Sequence, residues 1–264
     1  DKEGRIRSLA GVVRDVAGPM LLPWSLRRLA ATDPATLPYV DDDVRIGPCV
    51  GGVGKIVCIG LNFSDHAAES GLEVPEEPVI FMKATSSISG PFDDVVLPRG
   101  EAKADWEIEL GVVIGDPAKY VSPDEARRHI AGYCIINDLS ARQAQLEGTG
   151  QWVKGKSADT FAPIGPWLVT ADEIPEPQNL DMWLEVDRHR YQDGNTRTMI
   201  FGVDALVSYV SRYMSLQPGD IISTGTPPGV GLGLDPPVWL RPGNVIRLGI
   251  TGLGEQRQTV VAAQ

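Results

Sequence analysis

Two carboxylates, Glu107 and Glu109, have the type and spacing in this chain that most directly point to chemistry. They lie in residues 103–115, where Trp106, Ile108, Leu110, Val112 and Ile114 form one alternating row and Asp105, Glu107 and Glu109 form the other. A period of two reads as a β-strand with successive side chains on opposite faces. Glu107 and Glu109 then point the same way, roughly 7 Å apart. Ionised carboxylates that close repel each other unless a cation or water lies between them. A half-exposed strand with a polar outer face would also give this pattern. The run into apolar residues 110–114 favours a buried sheet instead, and a buried carboxylate pair needs a cation and a third ligand.

Four further groupings carry candidate chemistry. His66 and Glu69 are three apart on a short predicted helix over residues 64–71, so they share a face. A carboxylate beside an imidazole orients it and supports its protonated form, as a general base requires; a solvated polar face is the alternative. If residues 138–146 are helical, Asp138, Arg142 and Gln145 align at i, i+4 and i+7, offering an anion, a cation and an amide. Asp138 could equally be a simple helix N-cap. Lys156 and Thr160 lie in a predicted loop of small residues where a backbone can approach a ligand, unless the lysine is only solvated. Residues 226–233, opening at Thr226, are rich in Gly and Pro and could form a nest for a carboxylate. They lack the spacing of both the phosphate-binding and the dinucleotide-binding glycine loops.

Elements able to position these groups follow from the rest of the chain. Its 264 residues suffice for one large domain with a small attachment. Residues 1–52 read as a small N-terminal domain with a short helix over 24–29, and residues 53–264 as the main domain. Short strands are expected across the main domain, including a hairpin turning at Asp193, Gly194 and Asn195. Helices are expected from Ser122, with Pro123 at the first helical position, and over 203–214. His129 reads as a surface residue. The class is mixed and β-rich (α+β), without βαβ winding.

A net charge of −11 supplies no basic stripe, which argues against nucleic acid or an anionic membrane as partner. No apolar run reaches the roughly 18 residues of a membrane span. Cys49, Cys58 and Cys134 have neither a zinc-site nor a disulfide-framework spacing, which favours a reducing, cytoplasmic location. The chain begins at Asp1 rather than Met, leaving a trimmed targeting segment open.

Four motifs in order, DWEIEL from Asp105, NDLSARQAQ from Asn137, KGKSADTFAPIGP from Lys154 and STGTPPGVG from Ser223, resemble the fumarylacetoacetate hydrolase family from about Lys55 onward. The resemblance implies a β-roll with a small N-terminal domain, a homodimer, and a Mg²⁺ or Mn²⁺ ion. It makes Glu107, Glu109 and Asp138 the metal ligands, which supplies the third carboxylate. It gives His66, Glu69, Lys156 and Gln145 catalytic roles and places Arg142, Thr160 and Thr226 at the substrate. Where some members carry a fourth acidic ligand, this chain has Asn62. The implied activity is cleavage of a C–C bond in a 2,4-dioxo acid, an acylpyruvate or a 2,4-diketo-3-deoxy sugar acid, to pyruvate and a second acid. A decarboxylase or isomerase of a related 2-oxo acid, or a non-catalytic binding relative, is the alternative.

Overall fold

Short runs of Val, Ile and Leu bounded by Gly, Pro and Asp form most of the structure, a computed structural model that describes residues 4–41, 43–65 and 73–264. The strands are β1 Ile56–Gly60, β2 Val79–Lys83, β3 Ile88–Ser89, β4 Val95–Leu97, β5 Ala104–Asp105, β6 Ile108–Ile114 and β7 Ile130–Asn137. They continue as β8 Ser140–Ala141, β9 Ala162–Thr170, β10 Asp181–Val186, β11 His189–Asn195, β12 Ile221–Ser223, β13 Val245–Ile250 and β14 Gly254–Ala262. The helices are α1 Pro23–Ala30, α2 Pro123–Ala126, α3 Arg142–Leu146, α4 Trp152–Lys156 and α5 Val203–Tyr213.

A seven-stranded mixed sheet runs in the order β2-β1-β12-β6-β7-β9-β3, beside a five-stranded sheet β11-β10-β13-β14-β4 and a small pair β5-β8. At the centre of the large sheet, every residue of β6 and β7 is buried. Strands covered on both faces read as continuous apolar runs, which explains the unbroken Val/Ile stretches there. The smaller sheet faces the core on one side only, so β10 alternates, with Met182, Leu184 and Val186 buried. Both sheets contribute to one apolar core, where Leu110 and Val112 share a cluster with Leu184 and Leu248. On the far face, Leu21 and Val50 of the N-terminal region pack in a second cluster with Ile56, Val113 and Ile221.

Several local expectations need correction. The strand over 103–115 is interrupted at Trp106 and Glu107, because β5 pairs with β8 while β6 pairs with β7. The polar row is buried, as the run into residues 110–114 implies: Asp105, Glu107 and Glu109 are all inside. The hairpin turns at Asp187 and Arg188, with φ of 52° and 70°, the paired positive values of a tight two-residue turn. Gly194 instead lies within β11, where a Cβ would come 2.6 Å from that of Pro227, so it allows close approach rather than turning. His129 is buried, its Nδ1 3.3 Å from the Asp116 carbonyl oxygen.

Candidate active site

The site forms where β6 begins and β7 ends. Beyond β7 the Asp138 amide donates to the Glu107 carbonyl at 2.8 Å, so the two acids are held side by side by main chain. Two residues further, β8 pairs with β5, and the Arg142 amide donates to the Lys103 carbonyl at 3.0 Å. That pairing starts α3 directly beside Asp105 and Glu107. Asp138 therefore precedes the helix rather than lying on it, which corrects the expected single helical face. Arg142 and Gln145 still meet, with Nη1 donating to Oε1 at 3.0 Å.

Lys156 ends α4 rather than occupying a loop. Its approach depends on Gly155, where a Cβ would lie 2.5 Å from both the Gln145 Cβ and the Ala141 carbonyl oxygen. With only a hydrogen there, α4 packs tightly on α3 and Lys156 Nζ reaches Glu107 Oε2 at 2.7 Å and Asp138 Oδ2 at 2.8 Å. Glu109 is held from the other side: Ser223 Oγ and the Gly225 amide both donate to its Oε2, at 2.6 and 2.9 Å. Gly225 has a φ of 97°, and a Cβ there would sit 2.9 Å from that of Asn62. Asn62 itself is buried and occupied with main chain, accepting from the Phe201 amide and donating to the Thr224 carbonyl.

One ligand oxygen each from Glu107, Glu109 and Asp138 lies within 4.8 Å of the others, the sole such cluster among the described residues. Two residues essential to its charge balance have no role assigned from the sequence. Lys83, at the end of β2, donates to Asp138 Oδ1 at 2.6 Å with both side chains fully buried. Asp105 receives Arg142 Nε at 2.8 Å and the Gly231 amide at 2.6 Å, while Arg142 Nη2 donates to Glu107 Oε1 at 2.6 Å. A lysine closing an otherwise apolar strand was the available signal for Lys83. For Asp105 it was membership of the same alternating row.

Four buried carboxylates (Asp105, Glu107, Glu109 and Asp138) thus face three buried cations (Lys83, Arg142 and Lys156) among the described residues. The excess negative charge is relieved at Glu109, whose ionised form is the one most disfavoured. Burial, then the Asp138 and Glu107 charges, push its carboxyl well above the usual range against the pull of Lys156 and Ser223. Glu107 goes the other way: burial would raise it, but Lys156 and Arg142 together bring it down to about 2. For Lys156 and Arg142, burial works against the charged form and the neighbouring carboxylates outweigh it, so both stay cationic.

These groups form one end of a cavity of about 480 Å³ that also reaches Ile59, Phe81, Trp152 and Leu232. Glu107, Glu109, Arg142, Gln145, Lys156 and Thr226 line it. Asp138 lies just behind, joined through Lys156. Thr226 Oγ1 donates to the Ile108 carbonyl and accepts from Gln192 Nε2, both at 2.8 Å. Thr160 is placed elsewhere: its φ is 67° and its Oγ1 accepts from the Val96 amide at 2.8 Å, outside the cavity lining. His66 and Glu69 lie outside the described residues.

Residues 55–261 match the family model described as fumarylacetoacetate hydrolase C-terminal. A Burkholderia multivorans protein provisionally named a hydrolase is 60% identical over the whole of this chain and 94% of its own length. Among solved structures, a probable 2-hydroxyhepta-2,4-diene-1,7-dioate isomerase from Mycobacterium abscessus superposes with a TM-score of 0.81 at 37% identity, covering 90% of this chain and 86% of its own. Maleylpyruvate hydrolase from Sphingobium sp. SYK-6, solved with manganese(II) and pyruvate, gives 0.78 at 31% identity over 93% of this chain and 85% of its own. The chain belongs to the fumarylacetoacetate hydrolase family.

Proposed function

We propose that this protein is a divalent-metal-dependent hydrolase that cleaves the C3–C4 bond of a 2,4-dioxo acid to pyruvate and a second acid. The observation that carries the reading is the convergence of Glu107, Glu109 and Asp138, the first two lining one end of a cavity that also presents Arg142 and Lys156. The donor set fits Mg²⁺ or Mn²⁺, because it is all oxygen and because burial and the neighbouring carboxylates disfavour the charge of one member, Glu109, which a cation would stabilise. A bound dication would act as a Lewis acid on the 2-oxo end of the substrate.

The chain's own residues account for the remaining steps. Arg142 and Lys156 offset the carboxylates at the cavity floor, and with a dication held by the triad the floor would favour a small anionic substrate. His66, oriented by Glu69, removes a proton from water, and the resulting hydroxide adds to the C4 carbonyl carbon. As C3–C4 breaks, its electron pair passes to C3 as the pyruvate enolate, and His66 returns its proton there. Lys156, fixed between two carboxylates, is a preorganised positive charge beside the developing enolate. A second reading, isomerisation or decarboxylation of a related 2-oxo acid, draws on the isomerase among the relatives.

Turnover in ¹⁸O-labelled water with Mg²⁺ present separates the two. Hydrolysis places about one labelled atom per turnover in the non-pyruvate acid. Double-bond migration, or CO₂ release from oxaloacetate, with no cleavage of any 2,4-dioxo acid, would establish the second reading.

A further inference from the structure

Away from the charged floor, the cavity wall is apolar. Leu61, Phe81, Leu146, Trp152, Val230 and Leu232 line it. Phe81 and Trp152 meet edge to face with ring centroids 5.3 Å apart. Trp152 can seat there because β1 ends in a glycine: a Cβ on Gly60 would lie 2.8 Å from Trp152 Cζ3. At the rim, Leu146 and Leu232 are 46% and 40% exposed, a large apolar surface left facing solvent beside a binding cavity.

Among the described residues, nothing in this wall recognises a second anion. The two cations lining the cavity are already committed, Arg142 to Asp105 and Glu107, and Lys156 to Glu107 and Asp138. Partners for hydroxyl groups on the wall are equally scarce: the Thr226 hydroxyl donates to the Ile108 carbonyl and holds the Gln192 amide, and Gln145 lies at the charged floor, its Oε1 bonded to Arg142. A carboxylate or a run of hydroxyls placed against this wall would lose its water without replacement, whereas an apolar group gains by burial.

We infer that the wall formed by Phe81, Trp152 and Leu232 selects a substrate with an alkyl or aryl tail, excluding both a terminal carboxylate and a polyhydroxylated chain. The inference rests on the 2-oxo acid reading above and narrows it to acylpyruvates with apolar acyl groups.

The test compares kcat/KM of the Mg²⁺-loaded protein for benzoylpyruvate, succinylpyruvate and a 2,4-diketo-3-deoxy sugar acid. Benzoylpyruvate should be favoured by about 10-fold or more, the order expected when a pocket offers apolar contact and no polar partner. Equal or better turnover of either polar substrate overturns the inference. Trp152→Ala should lower kcat/KM for benzoylpyruvate about 10-fold more than for acetylpyruvate, which has no large tail to lose. Because Trp152→Ala can perturb α4, Leu232→Lys at the exposed rim provides a second arm, and should raise the succinylpyruvate to benzoylpyruvate ratio. A ratio unmoved by Leu232→Lys counts against the wall. If no 2,4-dioxo acid is cleaved, the hydrolase reading fails separately, and calorimetric binding with Mg²⁺ still decides the wall. In that arm 4-phenyl-2-oxobutanoate should bind more tightly than 2-oxoglutarate, and the reverse order overturns it.

Discussion

Lys83→Met isolates the charge balance of the site, because it removes one of three buried cations and keeps the volume. Lys83 Nζ donates to Asp138 Oδ1 at 2.6 Å and to the Leu139 carbonyl at 3.0 Å. Breaking a buried ion pair from one side costs about 3–5 kcal/mol when the remaining charge is left alone. Asp138 keeps Lys156 on its other oxygen, so the expected loss sits lower, at about 2–4 kcal/mol. For a domain of this size that is a fall in Tm of about 5–15 °C. Differential scanning calorimetry at pH 7 with a chelator measures it. Mg²⁺ replaces the missing positive charge beside Asp138, so it should raise the Tm of the variant more than that of the wild type. A Tm within about 2 °C of wild type in chelator would refute the charge accounting.

Other perturbations test neighbouring parts of the account. Because the Glu109 pKa is raised, a dication must displace a proton from it at any pH below that pKa, so Mg²⁺ affinity should climb as pH rises toward it and level off above it. Calorimetry in buffers of different ionisation enthalpy should register proton release at pH values below that plateau. In the metal-free protein the same shift has a stability sign: protonated Glu109 favours the fold at low pH, and that contribution is lost as pH rises through its raised pKa. Glu107, brought down to about 2, has the opposite sign; its contribution is full above the ordinary value of 4.5 and disappears as pH falls toward about 2. Gly229→Ala should destabilise by about 2–5 kcal/mol in chemical denaturation, since its φ is 98° and a Cβ would lie 1.9 Å from the Tyr191 carbonyl oxygen. His66→Ala should lower kcat by roughly 100-fold with Mg²⁺ affinity unchanged, a typical general-base contribution; a kcat near wild type would mean that another group removes the proton.

The parts of this site legible in the sequence are those encoded locally. Glu107 and Glu109 share a strand segment, and Asp138, Arg142 and Gln145 share one motif, so spacing alone brings them forward. Lys83 was invisible for the converse reason: its partner is 55 residues away, and only the β2-β1-β12-β6-β7 order of the sheet puts the two in reach. Asp105 shares the row of Glu107 and Glu109, but its role depends on Arg142 and the Gly231 amide, 37 and 126 residues away, which only the folded chain brings to it. The hairpin was misplaced because Asp193 and Gly194 carry the stronger local turn signal. The actual turn at Asp187 is secured by a distant strand, through the Val245 amide at 2.8 Å. Gly155 and Gly60 read only as small residues until the contacts of Gln145 and Trp152 show what a side chain there would strike.

The central claim is that the carboxylate triad holds one catalytic dication, and Mn²⁺ titration followed by electron paramagnetic resonance tests it in wild type and Glu109→Gln. Glutamine keeps the shape of Glu109 and removes its disfavoured charge, and its Oε1 can still accept from Ser223 and the Gly225 amide. The variant should therefore fold with an unchanged circular dichroism spectrum. The account predicts one tightly bound Mn²⁺ per wild-type chain, seen as loss of the free-ion signal, and none in the variant. Equal Mn²⁺ uptake by the two proteins would contradict it.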